Sequence, residues 1–155
     1  MTTLVFIAAF ASALLGGMFF AFSSFVMPAL GNIAPHEAMR AMQRINIDVF
    51  CWSFAAVFFG VPIASLGLVG YAVLHWSEPW SGSLLAGGLL NTVGSLGATA
   101  RGNVPLNERL AKQSSSSADA NSYWTAYAKP WVRWNSLRAA ANLCAAAVLF
   151  AALVP

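Results

Sequence analysis

The stretch LVFIAAFASALLGGMFFAFSSFVMPAL, residues 4–30, contains no charged side chain. As a helix it would extend about 40 Å at about 1.5 Å per residue. The hydrocarbon core of a bilayer is about 30 Å thick, so a run this long and this apolar reads as a transmembrane helix. A cleaved leader would need a basic start and a shorter apolar run. Here the chain begins Met-Thr-Thr.

The rest of the chain repeats the pattern. Residues 49–74 carry no charge, residues 84–100 carry none, and residues 137–154 carry Arg138 alone. These runs predict spans at about 4–30, 47–74, 84–103 and 131–154, with connections 31–46 and 104–130. Of the 155 residues, 59% are hydrophobic and 8% charged. A water-soluble domain carries about a quarter charged residues, so composition argues against one. The expected fold class is an all-α integral membrane protein, residues 1–155 as one membrane domain. It is a four-transmembrane-helix bundle with a short amphipathic interfacial helix between spans 1 and 2. That interfacial helix is APHEAMRAMQRIN, where Met39, Met42 and Ile45 share one face and Arg40 and Arg44 another.

The net charge of +3 and a pI of about 9.2 could suggest nucleic acid. The placement of the charges speaks for membrane orientation and against nucleic acid. Arg40, Arg44, Arg101, Arg109, Lys112, Lys129, Arg133 and Arg138 all fall on one side of a four-span layout, and the intervening loop HWSEPWSG has neither Lys nor Arg. The positive-inside rule makes that side cytoplasmic and both termini non-cytoplasmic, as in a bacterial inner membrane.

Small residues recur at Ala9, Ala13, Gly17 and Ala21, at Ala56, Gly60, Ala64 and Gly67, and at Gly87, Gly88, Gly94 and Ala98. Such stripes let membrane helices approach closely. Pro28 and Pro62 are expected to break or kink their helices. Ser116 with Asp119 could cap a helix, and Pro130 is expected to restart the chain as the fourth span. Cys51 and Cys144 lie at different depths, which excludes a disulfide between them and leaves both as small packing residues.

Polar groups inside a membrane are costly and therefore informative. Trp131, Asn135, Arg138 and Asn142 recur at helical spacing and share one face. Arg138 needs a partner, and Asp48 lies at matching depth. An Asp48–Arg138 or Asp48–Arg101 pair that only staples helices is one reading. In GNVPLNERL, Pro105 lacks an N–H, which predicts that the third helix ends or bends there. Asn103 and Asn107 would then turn toward Asn46, Asp48, Asn135 and Arg138. His36 and His75 fall on opposite sides of the layout, so no shared metal or haem ligation is expected.

Several of these stretches resemble the anthrone-oxygenase-like family of small four-span membrane proteins: FFAFSSFVMPAL, AMQRIN, NVPLNERLA, then Trp124, Tyr127 and the W-x-x-W-N-x-x-R pattern of Trp131, Trp134, Asn135 and Arg138. The resemblance covers nearly the whole chain and implies the four-helix fold. It also implies a monooxygenase-type oxidation of a flat, polyketide-like anthrone by dioxygen, with no cofactor and no metal. An anthrone's methylene is acidic because deprotonation makes the central ring aromatic, and the oxyanion can reduce dioxygen directly. The protein would supply a base, oxyanion donors and an apolar slot. Arg138, Asn103, Asn107 and Asn135, with Asp48 or His36 as base, are the catalytic candidates. Trp124, Tyr127, Trp131, Trp134, Asn46 and Arg101 are the substrate-binding candidates. The expected partners are the lipid bilayer, a small hydrophobic aromatic ligand and dioxygen. A homo-oligomer is compatible with the sequence, and nucleic acid is not expected. Two alternatives stay open: a non-catalytic binder of a quinone, lipid or aromatic metabolite, and a membrane scaffold.

Overall fold

A computed structural model describes residues 1–115 and 119–154. All secondary structure among them is helical. Five helices follow in order: α1 (Thr2–Gly31), α2 (Pro35–Asp48), α3 (Trp52–Leu74), α4 (81–111) and α5 (Ala120–Ala151). Of these, α1 and α3 are long and apolar enough to cross a membrane. The long helices pack in a ring, with α1 against α3 and α5, and α4 against α3 and α5. The amphipathic α2 lays Ala38, Met39 and Met42 on the ends of α4 and α5, while Arg40 and Arg44 stay exposed. Gln43 ties it down by donating to the carbonyls of Leu110 and Gln113 at 2.9 and 3.0 Å.

Pro105 and Pro130 act differently from the expectation. Pro105 does not end α4. A wide π-helical turn, Thr99–Asn103, precedes it, and the Val104 N–H reaches back to the Thr99 carbonyl. An extra residue in the turn makes room for the proline ring, which would otherwise strike the carbonyl four residues earlier. Helix then resumes as Val104–Ala111. The same device serves α1, where the π turn Phe22–Val26 precedes Pro28 and the Met27 N–H bonds the Phe22 carbonyl. Pro62 and Pro130 lie inside uninterrupted helices. The last helix therefore does not start at Pro130. It is one rod that begins at Ala120 and is about 48 Å long. The expected cap by Ser116 lies outside the described residues.

The small-residue stripes are corrected too. On α1 the close approach is at Gly16, where an added Cβ would lie 2.8 Å from Leu143, while Gly17 faces open space. On α3 the stripe points outward: Ala56, Gly60, Ala64 and Gly67 are exposed, and Val61, Ser65 and Leu68 are buried. The α4 stripe does pack, with Gly87 against Leu149, Gly88 against Val69 and the Ser65 carbonyl, and Gly94 against Ala141. Both cysteines are free and exposed, so neither packs inside.

Candidate functional site

At the end of the molecule that carries α2, the helices splay around a cavity of about 550 Å³. Its walls are mostly apolar and aromatic, with Phe19 and Phe22 from α1, Phe54 and Phe58 from α3, and Trp131 from α5. Phe50, Phe59 and Val104 also line it, and all three are exposed to the surroundings. Three π-helical stretches contribute directly: Phe22–Val26 through Phe22, Leu90–Leu96 through Leu96, and Thr99–Asn103 through Thr99, Ala100 and Asn103. Such turns widen a helix and re-aim its side chains, and they recur at functional sites.

The polar groups sit on one wall. Arg138 is only 7% exposed. Its guanidinium donates to Asn135 Oδ1 at 2.6 Å and reaches Thr99 Oγ1 at a long 3.4 Å. It lies 4.1 Å over the Phe19 ring, where the face of the aromatic ring attracts a cation. Its Nε has no hydrogen-bond partner. Among the described residues the one salt bridge is Arg44–Asp48 at 2.6 Å, on the exposed face of α2. The expected Asp48–Arg138 and Asp48–Arg101 staples are therefore not formed. Asp48 satisfies itself one helical turn away, and Arg101 is exposed. Arg138 is left as a buried cation without a counter-charge, a placement that costs on the order of several kcal/mol.

Three amides line the cavity with it. Asn135 donates to the Phe19 carbonyl at 2.6 Å and to Ser23 Oγ at 2.7 Å, which fixes its Oδ1 toward Arg138. Asn103 donates to the Trp131 carbonyl at 3.1 Å, and its buried Oδ1 has no partner. Asn107 Oδ1 accepts from Tyr127 Oη at 2.9 Å and from Trp131 Nε1 at 2.8 Å. An indole N–H can only donate, so the oxygen of this amide is assigned and its NH₂ is free to face the cavity.

Of the expected site residues, Arg138, Asn103, Asn107, Asn135, Trp131 and Asn46 line the cavity. The remainder do not. Tyr127 stands behind the wall and orients Asn107. Trp124 is buried in the cluster with Met39 and Met42. Trp134 covers Gly102, where an added Cβ would lie 2.2 Å from the indole, so it joins α5 to α4 outside the cavity lining. His36 and Asp48 are exposed and outside the lining, so neither is placed as a base. Among the described residues, no Asp, Glu, His, Lys or Cys side chain lines the cavity.

Sequence reasoning missed the phenylalanine wall. Phe50, Phe54 and Phe58 recur every fourth residue, and Phe54 and Phe58 stack at 5.2 Å. That spacing was the available signal. It also missed Asn91 and the serines of a second polar layer deeper in the ring, of which it named only Asn142. Asn91 donates to Ser12 Oγ at 2.9 Å and Ser65 Oγ at 3.0 Å, and Asn142 donates to Ser95 Oγ at 2.8 Å.

Fold and site together define an all-helical, strongly apolar protein that encloses an aromatic cavity around one buried, unpaired cation. The chain belongs to the anthrone oxygenase family, whose model matches residues 49–148. That match takes in α3, α4 and nearly all of α5, and so Asn103, Asn107, Asn135 and Arg138. No curated protein and no solved structure matches the chain.

Proposed function

We propose that the protein is a membrane-embedded oxygenase that oxidises a flat, anthrone-type aromatic ketone with dioxygen. In this reading α1, α3, α4 and α5 each cross the bilayer as a four-span bundle, α2 lies in the cytoplasmic interface, and both termini are on the other side. The observation that carries the reading is Arg138, a buried guanidinium with no carboxylate beside it and a vacant Nε, facing a cavity walled by aromatic rings. A fixed positive charge in a low-dielectric cavity stabilises a developing oxyanion far better than water does.

The residues divide the work as follows. Phe22, Phe54, Phe58 and Trp131 form the apolar walls against which a flat ring system packs. Arg138 and the Asn107 NH₂ hold the oxygen of the ionised ketone. The exposed apolar residues Phe50, Phe59 and Val104 provide entry from the lipid phase. Overall, the substrate methylene and one dioxygen become a carbonyl and one water.

The lack of a carboxylate or imidazole on the cavity wall favours a second reading, a non-catalytic carrier of an aromatic metabolite. Oxygen uptake by the purified protein in nanodiscs with anthrone separates the two. Equimolar consumption of dioxygen and formation of anthraquinone, above the rate in empty nanodiscs, supports the oxygenase. Saturable binding of anthrone with no added turnover supports the carrier.

A further inference from the structure

The site has an oxyanion receptor and no base, and this constrains the state of its ligand. An enzyme that removes a proton with a side chain needs that side chain within hydrogen-bond reach of the ligand. Among the described residues, no Asp, Glu, His, Lys or Cys side chain lines the cavity. Two carboxylates adjoin lining residues in sequence: Asp48, held by Arg44 on the exposed face of α2, and Glu108, which follows Asn107 and is exposed outside the lining. Tyr127 spends its hydroxyl proton on Asn107 Oδ1, and that same oxygen is occupied by the Trp131 indole. Apart from the Asn107 NH₂, the groups left without a partner are two deeply buried atoms of the wall, Arg138 Nε, a donor, and Asn103 Oδ1, an acceptor, which a bound ligand would have to uncover.

We propose that the cavity takes its ligand as the oxyanion, lowering the ligand's own acidity constant, with water and no side chain accepting the proton. The ligand class is a flat polycyclic aromatic with one ionisable enol or phenol oxygen and, beside it, a hydroxyl or N–H. The ionised oxygen meets Arg138, and the neighbouring donor meets Asn103 Oδ1. The step is ligand–OH plus water giving ligand–O⁻ plus hydronium, with no redox partner. An opposite charge within about 4–6 Å favours ionisation by about one to three pKa units, and a buried cation with no internal counter-ion supplies that charge undiluted. Asn135 acts through Arg138: by accepting from its guanidinium at 2.6 Å it fixes the direction of the remaining donors. This proposal rests on reading the cavity as the ligand site.

The test uses 2-hydroxyanthraquinone, a flat phenol already at the quinone level, whose neutral and ionised forms differ in visible absorbance. It is titrated with pH in empty micelles, with the wild-type protein, and with Arg138→Gln, Arg138→Lys, Asp48→Asn and His36→Gln. The bound probe is expected to ionise at least about one pH unit lower with wild type than in micelles. Arg138→Lys should keep most of that shift, Arg138→Gln should lose it, and the Asp48 and His36 variants should leave it unchanged. A wild-type titration no lower than in empty micelles would overturn the proposal, even if the Arg138 variants fail to fold. So would failure of the probe to bind, or a shift abolished by Asp48→Asn or His36→Gln. Oxygen uptake with anthrone is a separate readout. An Arg138-dependent shift without uptake removes the oxygenase reading and leaves the anion receptor standing. Uptake without the shift does the reverse.

Discussion

The two ends of the helix ring are built on opposite principles. At one end, Val5, Ala8, Ala9, Leu68, Leu84 and Leu149 form a closed core, with Gly87 and Gly88 admitting the neighbouring helices to contact. At the other, Phe19, Phe22, Phe54, Phe58 and Trp131 hold the same helices apart around the cavity. The difference is one of side-chain volume on shared helices. α1 and α5 run through both ends, pressed together at Gly16 and Leu143 and still joined beside the cavity, where Asn135 bonds the Phe19 carbonyl and Ser23. The closed end sets the helix rotations, and those rotations aim Asn135 and Arg138 into the open end.

The sharpest way to break this comparison is to remove the charge from the open end. Arg138→Leu is expected to lower kcat/KM for anthrone by about 100-fold or more, the loss seen when an oxyanion donor is removed. Its unfolding temperature in detergent should fall only modestly: Asn135 Oδ1 loses its donor, at about 1–3 kcal/mol, but no carboxylate loses a partner and the cost of burying the cation is removed. Marked destabilisation of Arg138→Leu, rescued by adding Asp48→Leu, would instead show a hidden staple and count against the site.

The closed end should fail by stability alone. Gly88→Val would press on Val69 and the Ser65 backbone carbonyl, both under 3 Å from an added Cβ. Overpacking of this kind costs about 1–3 kcal/mol. Thermal unfolding with activity per folded molecule retained would fit. Wild-type stability would mean that α3 and α4 are not in close contact.

Asn107→Ala tests a residue that serves both roles. It leaves the Tyr127 hydroxyl and the Trp131 indole unpaired, at about 1–3 kcal/mol for a buried polar group. It also removes an amide from the cavity. Activity is expected to fall by roughly 10-fold beyond what the loss of folded protein explains. Loss proportional to unfolding alone would reduce Asn107 to a structural bracket.

Smaller again is a paired comparison within α1. Gly16→Ala should lower the unfolding temperature, because Leu143 must move, whereas Gly17→Ala should be neutral or slightly stabilising, within about 0.5 kcal/mol. The reverse order would show that α1 is rotated. Least of all, Asp48→Asn and His36→Gln should each leave kcat/KM within about 2-fold, as exposed substitutions away from a site do. A large drop in either would restore that side chain as the base.

Much of this was legible in the residues themselves. The uncharged runs announced apolar helices, and two of them, at α1 and α3, have the length and hydropathy of membrane spans. The face shared by Trp131, Asn135, Arg138 and Asn142 followed from spacing alone, since helical period is a local property of the backbone. All four side chains are buried, and the first three line the cavity. The asparagines around Pro105 were found because buried amides stand out in so apolar a chain.

Partner choice was not legible, because it depends on how each helix is rotated about its axis, and one residue of error turns a side chain by about 100°. The small residues of α3 therefore looked like packing positions but face outward, and Gly17 was named where Gly16 makes the contact. The same uncertainty hid the pairing of Asp48 with Arg44 rather than Arg138, so a site with a base was expected where the wall has none. Pro105 was read as a stop because its missing N–H is a local fact, whereas the π turn that absorbs it needs neighbouring helices to hold its wider backbone. Sequence alone determined which segments are apolar helices and which polar residues must be buried, through period and composition. Only the tertiary structure decided that Arg138 is buried without a counter-charge, because whether a charge is paired is a property of the whole packed ring and of no single segment.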